Sequence, residues 1–319
     1  MYKRQVLEGF RFGAPPFPVR ESLPPNSAVI VEYLVTSGLA GVKDSDDEAR
    51  GRAKLDAPTV VKRRQLPLVG AAEIGLQRTA NGQYRLTANL LYRIWSYLRF
   101  SKHYPAPRIL TDIAAIALLE KGLLPLHCAA VERDGGSVAL FAPPDTGKTY
   151  TTMRLIERGW KFISEDIAIA DGAHIFGCPF TGTLSPHSMG LQSYIRRAKG
   201  FMFKQHRKRR PIDMLDSDQR CLVAPIRQVL FLEKGKPHVE EISKTQACDR
   251  ILRLNRYEFR WLGNDLLLEM WMRHGTPNLQ VAAEVEQQIV CKFVAAASSA
   301  LVVYAEKPTQ YEDLIAESG

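Results

Sequence analysis

The stretch Leu140-Phe-Ala-Pro-Pro-Asp-Thr-Gly-Lys-Thr-Tyr150 decides how this chain is read. An apolar run, Ser137-Val-Ala-Leu-Phe141, leads into a tight loop. Gly147-Lys148-Thr149 leads out of it into a helix-like segment, Tyr150 to Arg158. Strand, loop and helix in that order suit phosphate binding, because successive backbone N–H groups and an open helix N-terminus point at one anion. Lys148 is placed to reach the β/γ-phosphates of a nucleotide, and the Thr149 hydroxyl to ligate Mg²⁺. Ala142, Pro143, Pro144, Asp145 and Thr146, with Gly147 and Tyr150, complete the candidate nucleotide-binding set. The pattern is the Walker A form G-x-x-x-x-G-K-[ST], with Ala142 in place of the first glycine. If that backbone requires a positive φ, alanine there costs on the order of 1 kcal/mol. The alternative is an accidental G-K-T in a turn; the flanking strand and helix favour the phosphate loop.

Beyond Lys148 come one helix, one short strand (Trp160-Lys-Phe-Ile-Ser164) and then Glu165-Asp166 at the strand's C-terminal end. A Mg²⁺–nucleotide site needs a ligand source besides Thr149, and in phosphate-loop proteins an acidic residue ending a nearby strand supplies it. Two adjacent carboxylates can divide the work: one holds the metal, the other accepts the proton of an incoming hydroxyl. An acidic pair standing alone is usually just solvated; its place downstream of the loop favours the functional reading. His127 precedes the loop, on an apolar run, Leu126-His-Cys-Ala-Ala-Val-Glu132, that an Asp134-Gly135-Gly136 turn joins to the loop's own strand. Spacing alone divides His127 evenly between a core histidine and a hydrogen-bond donor or proton carrier near the γ-phosphate.

Around this unit the chain reads as α/β with a binding site at strand C-termini. Arg108 to Lys121 reads as a buried helix closed by Gly122. Ile167–Ala170 and Ala173–Phe176 read as extended, Gln228–Glu233 as a strand, and His238–Ile242 as its return after a Lys234-Gly235-Lys236-Pro237 turn. Thr245–Leu254 and Asn278–Ala297 read as helices, Ala300–Tyr304 as a late strand and Tyr311–Glu317 as a terminal helix. Residues 1–100 form a β-rich N-terminal lobe: prolines at 15, 16, 18, 24 and 25, a strand at Ala28–Val35, an exposed loop at Lys43–Lys54, and a hairpin around Asn81-Gly82. The boundary falls near residue 100, leaving 101–319 as the nucleotide-binding domain.

An apolar fraction of 45% and a charged fraction of 24% over 319 residues are those of a globular chain with a sizeable core. Five cysteines, at 128, 178, 221, 248 and 291, form no C-x-x-C pair, which argues for a reducing compartment and against a zinc site or disulfide framework. There is no signal-peptide pattern after Met1, and the longest apolar stretch, Phe293 to Tyr304, is too short to span a bilayer. The expectation is a cytoplasmic protein. Of the net charge of +9, eight positive charges lie in one run without acidic residues (Arg196, Arg197, Lys199, Lys204, Arg207, Lys208, Arg209, Arg210), leaving the rest near neutral. That argues against a nucleic-acid-binding fold and for a mobile loop, a lid over phosphates or a docking arm.

Taken together, Leu126-His-Cys-Ala-Ala-Val, Gly135-Gly, the loop, Leu155-Ile-Glu-Arg-Gly-Trp160 and Ile163-Ser-Glu-Asp166 resemble the catalytic core of the HPr kinase/phosphorylase family, over about residues 108–172 and loosely through Ala224–Glu233 and the helix after it. The resemblance implies a phosphoenolpyruvate carboxykinase-like P-loop kinase fold, ATP and Mg²⁺ as cofactors, and phosphoryl transfer to a serine-like hydroxyl. By resemblance His127 matches the family's histidine and Glu165-Asp166 its Asp-Asp pair. The sequence departs at Ala142, at Asp145, which puts a negative charge beside a polyphosphate, and at Glu165, one methylene longer than Asp. The family's later glycine-rich signature, tied to dephosphorylation, has no counterpart, so neither phosphorylase activity nor HPr as substrate follows.

The leading expectation is an ATP-dependent kinase for a hydroxyl-bearing peptide, protein or small molecule. Lys148 and the loop amides hold phosphates, Thr149 and Asp166 hold Mg²⁺, Glu165 acts as base with Asp166 able to exchange roles, and His127 assists. The rivals are a catalytically decayed nucleotide-binding adaptor and an RNA- or polyanion-binding protein using residues 196–210. The acceptor's identity is not legible, and a homo-oligomer is left open.

Overall fold

The computed structural model describes residues 31–36, 57–66, 70–96, 106–177 and 215–318. In chain order its elements are β1 (Val31–Thr36), β2 (Thr59–Leu66), β3 (Gly70–Arg78), β4 (Tyr84–Asn89), α1 (Leu90–Ser96) and α2 (Ala106–Leu119). There follow β5 (Leu124–Leu126), β6 (Ala129–Arg133), β7 (Gly136–Phe141), α3 (Lys148–Glu157), β8 (Lys161–Ser164), β9 (Ala168–Ala170) and β10 (His174–Gly177). The last set is β11 (Val223–Lys234), β12 (His238–Glu241), α4 (Lys244–Glu258), α5 (Asp265–His274), α6 (Leu279–Ala296), β13 (Ser299–Ala305) and α7 (Pro308–Ser318). The prolines at 15–25, the loop at 43–54 and the basic run 196–210 lie outside the described residues. Among the described residues no helix is long and apolar enough to cross a membrane.

The fold is mixed α/β, and its residues fall into two compact units. One comprises the described part of Leu23–Gly122 together with Phe259–Glu286. Its four-stranded sheet has the order β1-β4-β3-β2, with β1 parallel to β4 and the other pairs antiparallel. The β3–β4 hairpin turns at Asn81-Gly82, where Gly82 takes φ 72 and its N–H donates to the Thr79 carbonyl at 2.9 Å. Asn89 then turns β4 into α1: its Oδ1 accepts from the Tyr92 N–H at 2.8 Å, as an N-cap side chain does. Gly122 ends α2 with φ 71.

The compact units do not part near residue 100. The first runs on through α2, because a buried polar knot ties that helix to residues 260–264. Asp112 Oδ1 accepts from the Arg260 N–H at 2.9 Å, and Asp112 Oδ2 from Asn264 Nδ2 at 3.0 Å. Asn264 is held in that orientation because its Oδ1 caps α5, accepting from Leu266 N–H at 3.1 Å. The sequence reading has no helix at α5, although this cap and Gly275 at its end, with φ 68, bracket it.

The other unit, with Leu123–Glu258 and Gln287–Gly319 as its described parts, carries the larger sheet. The strand order is β5-β9-β10-β11-β7-β6-β8, and on the other side of β11's C-terminal half stand β13 and then β12. β13, β11 and β7 are mutually parallel, whereas β6 and β12 run against their neighbours. The expected hairpin return after β11 is therefore corrected: β12 pairs with β13, which inserts between β11 and β12. β12 is exposed and ends in Glu240-Glu241, a composition that suits a sheet edge. β5 and β6, expected as one strand, are two: β5 pairs with β9 and β6 with β7, and His127-Cys128 fills the break.

α3 and α7 cover one face of this sheet, burying Leu155, Ile156, Tyr311 and Ile315 against Leu140, Leu230 and Val303. Tyr311 reaches through to donate its hydroxyl to the Glu233 carbonyl at 2.7 Å. Arg154 Nε donates to both oxygens of the buried Glu312, at 3.2 and 3.0 Å, so the helices are joined by charge as well as apolar contact.

Burial raises the Asp112 carboxyl to about 6, against the opposing effects of the Asn264 bond, the Arg108 charge and the Arg260 N–H. With the folded value above the unfolded one, the neutral acid favours the fold at low pH, and that contribution is lost as pH rises through about 6. Urea unfolding of the wild type should show a decline of about 3 kcal/mol from this group between about pH 4 and about pH 7. Asp112→Asn should lack that slope and be less stable at low pH, since its amide would oppose the Asn264 amide. Identical pH profiles for the two proteins would refute this.

Candidate functional site

The site follows from strand direction. β6 is antiparallel to both its neighbours, so β7 and β8 run the same way on either side of it. Ala129 stands opposite Leu140, and Ala130 opposite Ser164. Hence the chain entering β6 (His127), the loop leaving β7 (142–147) and the pair leaving β8 (Glu165-Asp166) all lie at one sheet edge. The apolar alternation of three short strands brings together residues up to 39 positions apart.

The loop is closed from within. The buried Thr146 donates its hydroxyl to the Pro143 carbonyl at 2.9 Å. Ala142 is buried, and the described non-glycine residues with positive φ are Asp134 and Asp145. The cost anticipated at Ala142 therefore does not arise; the left-handed turn sits at Asp145, with φ 58, a residue type that tolerates it. Asp145 is exposed at the tip with Pro143 and Pro144. Gly147 follows with φ 111 and starts α3 without a capping side chain, and the first turn of α3 has no acidic residue. Thr151 and Thr152 turn their buried hydroxyls back onto the carbonyls of Gly147 and Lys148, at 3.1 and 2.9 Å. The helix thus begins with its positive end bare.

Five of the candidate residues meet here. Lys148 Nζ lies 3.2 Å from His127 Nε2, and His127 Nδ1 lies 3.5 Å from Asp166 Oδ1. The Lys148 ammonium has only donors, so Nε2 accepts and the ring proton is left on Nδ1, facing Asp166. The Thr149 hydroxyl donates to Glu165 Oε1. Tyr150 is half-buried and makes no hydrogen bond to these five among the described residues.

Burial raises the Glu165 carboxyl above the usual range, and the Asp166 charge adds to this; the Thr149 bond and Lys148 oppose it. Desolvation also raises Asp166, against the pull of Lys148, although 41% of its side-chain surface is exposed. Two carboxyls thus share one nearby ammonium in partly desolvated surroundings, an arrangement that a divalent cation would relieve. The described residues hold no group of three or more His, Cys, Asp and Glu side chains arranged for a metal. A cation held by Thr149 and Asp166 would complete its shell with water or ligand oxygens, as Mg²⁺ characteristically does.

Three contributors escaped the sequence reading. Asn255, buried on α4, accepts the His127 backbone N–H at 3.1 Å, taking the place of a strand partner at the β5–β6 break. Ser164 is buried directly before the acidic pair, its hydroxyl without a partner among the described residues. Pro308 packs on Gly147. Only Ser164 had a sequence signal, its place beside Glu165. An open cleft of about 460 Å³, lined by Arg133, Trp160, Arg227 and Gln228 among others, lies at the opposite edge of the sheet and takes in none of these groups.

No protein-family model matches the chain, and no curated protein is similar to it in sequence. Among solved structures it is similar to the HPr(Ser) kinase/phosphatase from Coxiella burnetii, at 11% identity and a TM-score of 0.28, over 61% of this chain and 95% of that one. A likeness of that size assigns the chain to no family.

A Cβ at Gly147 would stand 2.7 Å from Pro308 Cβ, on a backbone at φ 111. At Gly159, with φ 89, it would meet nothing within 4 Å. Thermal unfolding should therefore rank the two variants: Gly159→Ala costs about 1 kcal/mol through its backbone alone, and Gly147→Ala clearly more. Equal melting temperatures would contradict the close packing of Pro308.

Proposed function

We propose that the chain binds ATP with Mg²⁺ at the 142–149 loop and transfers the γ-phosphoryl group to a hydroxyl-bearing acceptor. The observation that carries this reading is the meeting of His127, Lys148, Thr149, Glu165 and Asp166 at the edge where β7 and β8 end and α3 begins. A bare helix N-terminus and an ammonium favour a polyphosphate. An adjacent hydroxyl and carboxylate would suit Mg²⁺, which would supply positive charge to neutralise the phosphates.

In this reading the N–H groups of the 142–149 loop, which Pro143 and Pro144 lack, and the Lys148 ammonium would hold the phosphates, and Thr149 and Asp166 would hold Mg²⁺. The Thr149 hydroxyl donates its proton to Glu165 Oε1 and keeps its oxygen lone pairs, through which it would hold the metal, while the remaining lone pairs of the Glu165 carboxylate would be open to the acceptor's proton. The raised pKa of Glu165 brings its basicity closer to working pH, as a general base requires. His127, seated by Asn255, holds Lys148 on one side and faces Asp166 on the other, so it positions the two charges that must straddle the phosphates. Asp145, exposed at the loop tip, can direct its charge away from the anion.

Calorimetry with ATP·Mg²⁺ tests the site. Wild type should bind, and Lys148→Ala should bind at least about tenfold more weakly, the loss of one charge-assisted contact. No binding by wild type, or equal binding by the variant, would sink the proposal. Transfer from γ-labelled ATP into a cell extract tests the reaction: Glu165→Ala should lose a factor of about 10² to 10⁴, while a fully active variant would remove Glu165 from the role of base.

Both carboxyls are raised, and a metal binds only their charged forms. Mg²⁺-dependent nucleotide affinity should therefore climb as pH rises past the ordinary carboxylate range of about 4, and the climb should flatten in Asp166→Asn. A pH-independent affinity in the wild type would argue against carboxylate ligation.

A further inference from the structure

The cleft at the far edge of the larger sheet lies where β7, β11 and β13 begin to run side by side, and none of its groups belongs to the candidate nucleotide site. At about 460 Å³ it is the size of a small-molecule site. Its first charged group is placed by a fault in the ladder. Opposite the consecutive β7 residues Ser137 and Val138, β11 sets Ile226 and Gln228, so Arg227 is one residue extra. A bulge of this kind re-aims the side chain it carries. The Arg227 carbonyl accepts from the Ser298 N–H at 2.8 Å and from the Ser298 hydroxyl at 2.7 Å, so the chain entering β13 pins the bulge. The Arg227 stem lies on Gly136, where a Cβ would stand 2.8 Å from Arg227 Cβ.

A second guanidinium faces the first. Arg133, at the end of β6, lies over the Trp160 ring, its guanidinium carbon 5.2 Å from the ring centroid. The two arginines converge: Asp134 Oδ2 stands 3.3 Å from Arg133 Nε and 4.0 Å from Arg227 Nη1. Asp134 is exposed in the β6–β7 turn, so a carboxylate oxygen at the mouth already marks where the pair meets. The third wall is neutral. The buried Gln228 donates from Nε2 to Ser299 Oγ at 3.1 Å. A hydroxyl that accepts this bond keeps its own proton to give. Val138 and Trp160, both buried for most of their surface, supply the apolar part of the lining.

We propose that this cleft is a binding site for a small organic carboxylate. The carboxylate lies between the two guanidiniums, whose planar forks of N–H donors match its pair of oxygens. Ser299 donates to the same group, and the apolar remainder of the ligand rests on Val138 and Trp160. Two guanidiniums beside one aspartate suit a monoanion, and the contact with Asp134 shows that their spacing accepts a carboxylate oxygen. The site is separate from the proposed nucleotide site and does not rest on it. β7 brings Val138 to the cleft and runs at its other end into the 142–147 loop, so a small ligand occupies one edge of the sheet only.

The test titrates sodium benzoate into the full chain carrying isotope-labelled tryptophan and follows the Trp160 indole resonance, assigned by its loss in Trp160→Phe. The expected result is a saturable shift with a Kd of about 1 mM or tighter. Phenol, the same ring without the charge, should not reproduce it. Arg133→Gln and Arg227→Gln should each weaken benzoate binding at least about tenfold. Where a glutamine variant does not fold, lysine at that position gives the same reading, because it keeps the charge and loses the fork. Lys148→Ala should bind benzoate as wild type does, so the outcome is independent of ATP·Mg²⁺ binding. Any of four results would overturn the proposal: no saturable shift, an equal response to phenol, undiminished affinity in the arginine variants, or a response to phenyl phosphate but not to benzoate.

Discussion

β6 is hydrogen-bonded on both sides to strands that run against it, and the candidate site depends on that arrangement. A central strand flanked by two opposed partners begins at the edge where both partners end. Whatever precedes it, and whatever follows each neighbour, must crowd together there. Had β8 paired with β7 instead, the acidic pair and the loop would still share an edge, but His127 would not lie between them. The ladder also fixes spacing: neighbouring strands stand about 4.8 Å apart, close enough for a histidine at the middle position to touch a lysine on one side and approach an aspartate on the other.

The electrostatics follow from this crowding. Two carboxyls and one ammonium meet at a partly desolvated edge; burial raises both carboxyls, and for Glu165 the neighbouring Asp166 charge adds to it. Lys148 is drawn inward against His127 rather than left in water. The bare start of α3 adds a fixed positive end to the same place. The site is thus built from charges that do not balance by themselves, whereas between α3 and α7 the buried Glu312 is met by two guanidiniums, Arg154 and Arg158.

The parts of this arrangement that were legible in the sequence are those encoded locally. The Asn81-Gly82 and Asp134-Gly135 turns, the passage from β7 through the loop into α3, and the place of Glu165-Asp166 after β8 each rest on residues a few positions apart. What escaped reading is set by distant partners. Leu126 to Glu132 reads as one continuous apolar strand, and its break at His127-Cys128 exists because β5 pairs with β9 while β6 pairs with β7. β12 resembles a hairpin return until β13, about 60 residues later, takes the place beside β11. Asn255 gives no local hint, lying in an ordinary polar helix, yet it is the group that satisfies the backbone freed by the break. The knot at Asp112, which draws residues 259–286 back to α2, is of the same kind.

Gly147 offers a different kind of consequence, one that concerns how such a sequence can change over time. Two separate conditions hold this position: a backbone angle that disfavours any side chain, and Pro308 standing where a side chain would go. Relaxing one leaves the other in force, so no single replacement elsewhere opens a path to a new residue here. Pro308, in contrast, is constrained by Gly147 only as a neighbour and can be exchanged for a smaller residue without strain at the loop. Variation across descendants of this chain should therefore be lopsided, with drift tolerated at the start of α7 and the glycine beside it kept, because the route away from it would require two improbable changes together.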